Sequence, residues 1–149
     1  MLSLNLPEYK VKIKKEEGKT YIFDILRRKY LVATPEEWVR QHFVHMLTEH
    51  LEYPEGRMAN EIKIDLNGTC KRCDTVLFDK DLSPLMIIEY KRPSIKITQK
   101  VFDQITRYNM VLKVKYLIVS NGIEHYCCKI DYEKKCYHFL NHVPRYDEL

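Results

Sequence analysis

Hydrophobic positions along this chain follow two periods, and the alternation between them predicts its elements. A period of two marks Val11 to Ile13 and Tyr21 to Leu26 as a first hairpin turning at Glu16-Glu17-Gly18-Lys19. The spacing then becomes helical. Thr34 stands as N-cap, Pro35 at the first helical position and Glu37 where a capping box places its acid, while Trp38, Val39, Phe43, Met46, Leu47 and Leu51 form an apolar stripe that Pro54-Glu55-Gly56 ends. Glu61 to Leu66 and Arg72 to Phe78 alternate as strands around the turn dipeptide Asn67-Gly68, and residues 85–90 form a third strand after a polar loop at 79–84. Thr98 to Leu112 is a second helix with Val101, Phe102, Ile105 and Leu112 toward the core. It leads into Tyr116 to Ser120, ended by Asn121-Gly122. His125 to Ile130 and Cys136 to Leu140, around Glu133-Lys134-Lys135, read as a closing hairpin. Strand, helix, strand implies a crossover, so residues 116–120 should run parallel to 85–90 in a mixed sheet.

The central hairpin carries the candidate chemistry. If Phe78 pairs with Leu85, paired positions keep a constant sum of residue numbers, so Val76 faces Ile87 and Asp74 faces Glu89. Paired side chains on one face have Cβ atoms about 5 Å apart, and like charges there repel. A divalent cation is the simplest group that would offset that repulsion. The period of two adds Lys91 to the same face. The opposite face, Thr75, Leu77, Met86 and Ile88, is also apolar, which places the hairpin at a sheet centre covered on both sides.

Composition bounds the picture without specifying it. The 149 residues, 45% hydrophobic and 31% charged, suit a single domain over 1–149 with its core at about 20–140. A net charge of +4 does not mark a nucleic-acid binder, but Lys71 with Arg72, and Lys91, Arg92, Lys96 and Lys100, form a basic rim able to follow a phosphate backbone. The N-terminus lacks a signal-peptide pattern, no apolar run approaches the roughly 20 residues of a membrane span, and five cysteines with Cys127 and Cys128 adjacent do not form a secreted disulfide framework. A cytoplasmic protein is expected. Gly18-Lys19-Thr20 is not a P-loop, because Ile13 stands where the first glycine belongs. His42, His45 and His50 are expected on an exposed polar helix face. Cys70 and Cys73 have the spacing of half a zinc site, and no second half is evident.

Asp74 followed by Glu89-Tyr90-Lys91 at the end of an apolar strand resembles the PD-(D/E)XK nuclease motif, although Cys73 stands where that motif has its proline. Gln104 and Tyr108, one helical turn apart on the second helix, extend the pattern. The order Glu37, Asp74, Glu89-x-Lys91, Gln104-x-x-x-Tyr108, with the phrases Thr34-Pro-Glu-Glu-Trp-Val-Arg40 and Phe102-Asp-Gln-Ile-Thr-Arg-Tyr-Asn-Met110, is similar to the N-terminal nuclease domain of the R subunit of type I restriction enzymes. That resemblance implies a restriction-endonuclease-like α/β fold, a mixed β-sheet of about five strands flanked by helices, here with an extra N-terminal hairpin and a C-terminal hairpin. It implies a Mg²⁺-dependent deoxyribonuclease, more endonuclease than exonuclease, in which Mn²⁺ substitutes for Mg²⁺. Asp74, Glu89, the backbone carbonyl of Tyr90 and Glu37 would hold the metal, Lys91 would act on the attacking water or the phosphate, and Gln104, Tyr108, Arg72 and Arg92 would engage DNA. The family's full-length subunits continue into an ATP-driven motor that is not expected in these residues, so separate motor or methyltransferase subunits are candidate partners. The alternative is a non-catalytic module binding nucleic acid or protein on the same fold.

Overall fold

In the computed structural model, residues 3–66, 68–110 and 112–149 are described, and the side chains of Leu66, Thr69 and Tyr108 fall outside that description. Among these residues two sheets and two α-helices are built from β1 (Ile13–Glu16), β2 (Lys19–Asp24), β3 (Lys29–Val32), α1 (Pro35–Glu49), β4 (Met58–Leu66), β5 (Thr69–Phe78), β6 (Pro84–Tyr90), α2 (Gln99–Met110), β7 (Tyr116–Ser120), β8 (His125–Asp131) and β9 (Cys136–Leu140). The first three strands form a small antiparallel sheet and the other six a mixed sheet in order β4-β5-β6-β7-β8-β9. β6 and β7 are the parallel pair, joined through α2, as the crossover requires. The expected C-terminal hairpin is therefore the continuation of the main sheet, as β8 and β9. Among the described residues no helix is long and apolar enough to cross a membrane.

Each face of the main sheet buries its own cluster. Leu77, Met86, Ile88 and Ile118 pack with Val39, Phe43 and Leu47 of α1. Val76, Ile87, Leu117 and Val119 pack with Phe102 of α2. Alternation along β5 and β6 thus supplies both layers. β6 contributes Met86, Ile87 and Ile88 at 0% exposure, and it shares the middle of the sheet with β7, whose Leu117, Ile118 and Val119 are equally buried.

Three local expectations are corrected. The N-terminal hairpin is shifted and gains a strand: Glu17 and Gly18 both have positive φ, the two-residue turn that sets Glu16 against Lys19. The chain then reverses where the Asp24 carboxylate accepts from the amides of Leu26 and Arg27, and Lys29–Val32 pairs with β2 as a third strand. Phe78 pairs with Pro84 rather than Leu85, because the register shifts after Leu77. That irregularity lies at the loop end, where the Asp79 carboxylate accepts from the amides of Asp81 and Ser83.

The helix histidines are the third correction. His42 is buried and His45 half-buried because the segment before β1 crosses α1: the Tyr9 ring stacks on His45 at 3.6 Å and meets His42 edge-on at 4.9 Å. Only His50 is exposed, as expected. The same segment explains Gly122, whose φ is +86° and where an added Cβ would stand 2.8 Å from Leu4 Cδ2. Cys70 is exposed and Cys73 is buried in β5, and three residues apart along a strand they point to opposite faces, so they do not converge on one ion.

Candidate active site

The constant-sum register holds where it matters. Thr75 pairs with Ile88, Val76 with Ile87 and Leu77 with Met86, all summing to 163, and just beyond this ladder, at the open end of the hairpin, Asp74 and Glu89 line one cavity on the α2 side of the sheet. The amide of Tyr90 donates to Asp74 Oδ2 at 2.9 Å, locking that carboxylate to β6. Glu89 is half-buried, and its Oε1 is buried without a hydrogen-bond partner among the described residues. Burial, and then the charge of Asp74 beside it, push the Glu89 carboxyl up to about 9, while Lys91 and Asn109 pull the other way. Both causes favour the neutral form of the Glu89 carboxyl beside Asp74.

These groups open into a cavity of ≈ 440 Å³ lined by Glu36, Arg72, Asp74, Glu89, Tyr90, Lys91, Ile95, Val101, Gln104, Ile105 and Asn109. Six of the residues singled out in the sequence thus converge: Asp74, Glu89, Tyr90, Lys91, Gln104 and Arg72. The amide of Lys91 donates to the carbonyl of Ser120 at 2.8 Å, which extends the β6–β7 ladder by one residue and fixes where its side chain departs. Arg92 is exposed beyond the strand and is not among the lining residues. Tyr108 lies on α2, but its side chain is outside the described residues.

Glu37 is placed differently from the expectation of a ligand. Thr34 Oγ1 accepts from the Glu37 amide at 3.1 Å, as an N-cap should, yet the Glu37 carboxylate does not return to Thr34. It accepts from Arg27 Nη2 at 2.8 Å and Gln41 Nε2 at 3.1 Å, with Arg40 Nε at 3.6 Å. Its neighbour Glu36 lines the cavity instead. A rotation of about 100° per residue around a helix separates the two roles.

Behind the acids, on the α1 side, lies a buried polar chain that sequence reasoning missed. Asn60 Nδ2 donates to both oxygens of Asp24, Thr75 Oγ1 donates to Asn60 Oδ1 at 2.6 Å, and Thr75 Oγ1 and the Tyr90 hydroxyl lie 2.9 Å apart. Beside it Arg40 Nη2 and Arg72 Nε hold the two oxygens of Glu61 at 2.6 and 2.7 Å. Glu61 has φ +53° and stands across β5 from Asp74, between Asn60↔Thr75 and Ile62↔Cys73, so a left-handed residue aims its carboxylate at the two arginines. Asn109 is the other omission. Val101, Ile105 and Asn109 recur every four residues along the cavity wall, and a polar residue closing an apolar helical stripe was the available signal.

The donor set fits a hard divalent cation: two carboxylates side by side, one with an orphaned buried oxygen, and a neutral amide next to them. The sequence matches the family described as type I restriction enzyme R protein N terminus over residues 35–144. A search among curated proteins gives no match. Among solved structures, the fragment described as an HsdR subunit of a type I restriction enzyme from Vibrio vulnificus YJ016 superposes with a TM-score of 0.56 at 21% identity, covering 78% of this chain. The present chain spans only 24% of that one, and the likeness shows a shared fold. With a match running from the first residue of α1 to beyond β9, this chain belongs to the family of type I restriction enzyme R protein N-terminal regions.

Proposed function

We propose that this chain is a metal-dependent nuclease that hydrolyses phosphodiester bonds of DNA, and that Asp74 and Glu89 hold the catalytic cation, Mg²⁺ or Mn²⁺. The observation that carries the reading is the acid pair itself. Two carboxylates set side by side in one cavity, one of them with a buried, unpartnered oxygen and pushed toward its neutral form by the charge of the other, repel when both are ionised, and a cation between them offsets that repulsion. When bound, the cation supplies charge neutralisation at the phosphate and activation of water. Tyr90 would add its backbone carbonyl to the ligand set.

The remaining roles follow from position. Lys91 brings a positive charge to Glu89 at the cavity wall, where it stabilises charge developing on the phosphate or orients the attacking water. Asn109 holds Glu89 from the helix side. Arg72 and Gln104 line the same opening and engage the phosphate backbone, with Arg92 and Tyr108 assigned to the DNA path by their place in the sequence pattern. Glu37 acts by fixing Arg27 and the start of α1, a positioning role, and Glu36 takes the place at the rim. As an R-protein N-terminal region, the chain would work beside motor and methyltransferase subunits.

The test is incubation of the purified chain with supercoiled and linear DNA in Mg²⁺, Mn²⁺ or EDTA. Cleavage is expected in metal alone, abolished by Asp74→Asn and reduced about 10²–10³-fold by Lys91→Ala, with metal binding retained in the lysine variant. Nicking of the circular form would mark endonucleolytic attack. A wild-type protein that binds metal yet leaves every DNA uncut, alone and with candidate partner subunits, would overturn the proposal in favour of a binding module on the same fold.

A further inference from the structure

The far end of the β8–β9 hairpin gathers three metal-ligating side chains that the nuclease reading does not use. Asp131 and Cys136 are directly paired across the two strands, and His138, two residues after Cys136, shares their face. One ligand atom from each of the three lies within 4.8 Å of the others. Cys136 Sγ and His138 Nε2 are 3.7 Å apart. A tetrahedral zinc with Zn–S of about 2.3 Å and Zn–N of about 2.05 Å separates its sulfur and nitrogen ligands by about 3.6 Å. The two side chains already stand at the edge length of a coordination tetrahedron.

We infer that Asp131, Cys136 and His138 bind a thiophilic divalent cation, Zn²⁺ by the chemistry of the set, with water completing the fourth position. Thiolate and imidazole select zinc over magnesium, whereas the oxygen donors at Asp74 and Glu89 select the reverse. The Asp131 carboxylate is held in place by its own turn, since Oδ1 accepts from the amides of Glu133 and Lys134 at 3.1 Å each, an outer shell that orients the ligand. Lys129 opposite His138, and Lys134 and Lys135 in the turn, oppose added positive charge, so binding is weaker than in a closed four-ligand site.

This site is separate from the acid pair. Glu89, Val119 and Tyr126 form one row across the sheet, and Asp131 lies five residues further along β8 (126 to 131), about 17 Å at 3.4 Å per residue. The face differs as well: residues 127, 129 and 131 alternate with Cys128 and Ile130, which pack in the α2 cluster. A cation there would tie the edge strand β9 to β8 and leave the cavity untouched.

The test is titration of the full chain with Co²⁺ in a non-thiol reductant, then competition by Zn²⁺. One equivalent should bind with a thiolate-to-cobalt charge-transfer band, which Zn²⁺ displaces. Cys136→Ser should remove the band, His138→Gln should weaken binding about tenfold or more, and Cys70→Ser should change neither. Asp131→Asn also disturbs the turn, so the histidine variant decides if that protein misfolds. Asp74→Asn should leave the band intact, which separates failure here from failure of the nuclease reading. No thiolate band, a band that survives Cys136→Ser, or an affinity indifferent to His138→Gln would each overturn the inference.

Discussion

Asp24 is a fully buried carboxylate and Glu89 a half-buried one, on opposite sides of the main sheet, and they are treated in opposite ways. Asp24, with no exposed surface, is raised by burial but held below its usual range overall, because the Arg27 amide and guanidinium, Asn60 and the Leu26 amide all donate to it. Glu89 is raised by burial too, and its nearest charged neighbour, Asp74, raises it again. The first acid is satisfied by its surroundings and reads as architecture. The second is left with an orphaned oxygen, and such a deficit persists in a fold only where something else completes it. The same contrast separates Glu37 and Glu61, each facing arginines, from the cavity that opens in front of Asp74.

Breaking the compensated side should have the largest effect on stability. Asp24→Ala removes the acceptor for Arg27, Asn60 and two backbone amides at once, and loss of one partner from a buried charged network costs about 3 kcal/mol or more. For a domain of this size that lowers Tm by roughly 6–12 °C. The pH dependence set by Glu89 should survive in that variant, because Glu89 lies on the other face of the sheet. Thermal melts across pH measure both quantities.

Relieving the uncompensated side should do the reverse. Glu89 has its folded pKa raised from 4.5 to about 9, so the folded state holds a proton that the unfolded state has lost, and the metal-free protein should lose stability as pH rises through that window. Glu89→Gln should flatten this slope and raise the metal-free Tm at pH 8 by about 4–8 °C, equivalent to roughly 2 kcal/mol. It should also remove stabilisation by millimolar Mg²⁺. In the wild type, cation binding near neutral pH must displace the Glu89 proton. Calorimetry in buffers of different ionisation enthalpy should therefore detect about one proton released per cation, with affinity rising with pH. A wild-type melting curve independent of pH between 5 and 9 would remove the basis of the comparison.

Sequence reasoning reached Asp74 and Glu89 because their pairing depends on a local hairpin and on a side-chain period that leaves no freedom of face. The slip at Phe78 shows how narrow that warrant is: a loop-end irregularity moved one pair and spared the pairs that position the acids. What stayed illegible depended on contacts between distant segments. The burial of His42 requires Tyr9 from a segment that carries no periodic signal. β3 requires a turn that the Asp24 side chain creates, and Glu61 becomes structural only when Arg40 from α1 and Arg72 from β5 meet it. The capping rule located the start of α1 correctly and still misassigned the Glu37 carboxylate, because the rule describes the helix end and not the arginine waiting on the preceding turn.

That last misassignment gives the finest test of the comparison, since Glu36 and Glu37 are adjacent, identical in chemistry and assigned to opposite sides of it. Glu37 accepts from Arg27 and Gln41 and is 8% exposed, so Glu37→Gln leaves a partly buried guanidinium short of a counter-charge and should cost about 1–2 kcal/mol. Its effect on cleavage should follow from that loss of stability and vanish when rates are corrected for the folded fraction. Glu36 is exposed at the cavity rim, with no role in holding α1 beyond its favourable place in the first turn. Glu36→Gln should therefore leave Tm within about 1–2 °C of wild type while changing cleavage or metal affinity by a few fold. Paired melts and cleavage rates for the two variants decide the matter: if Glu37→Gln abolishes metal binding without lowering Tm, Glu37 swings into the cavity and belongs to the ligand set after all.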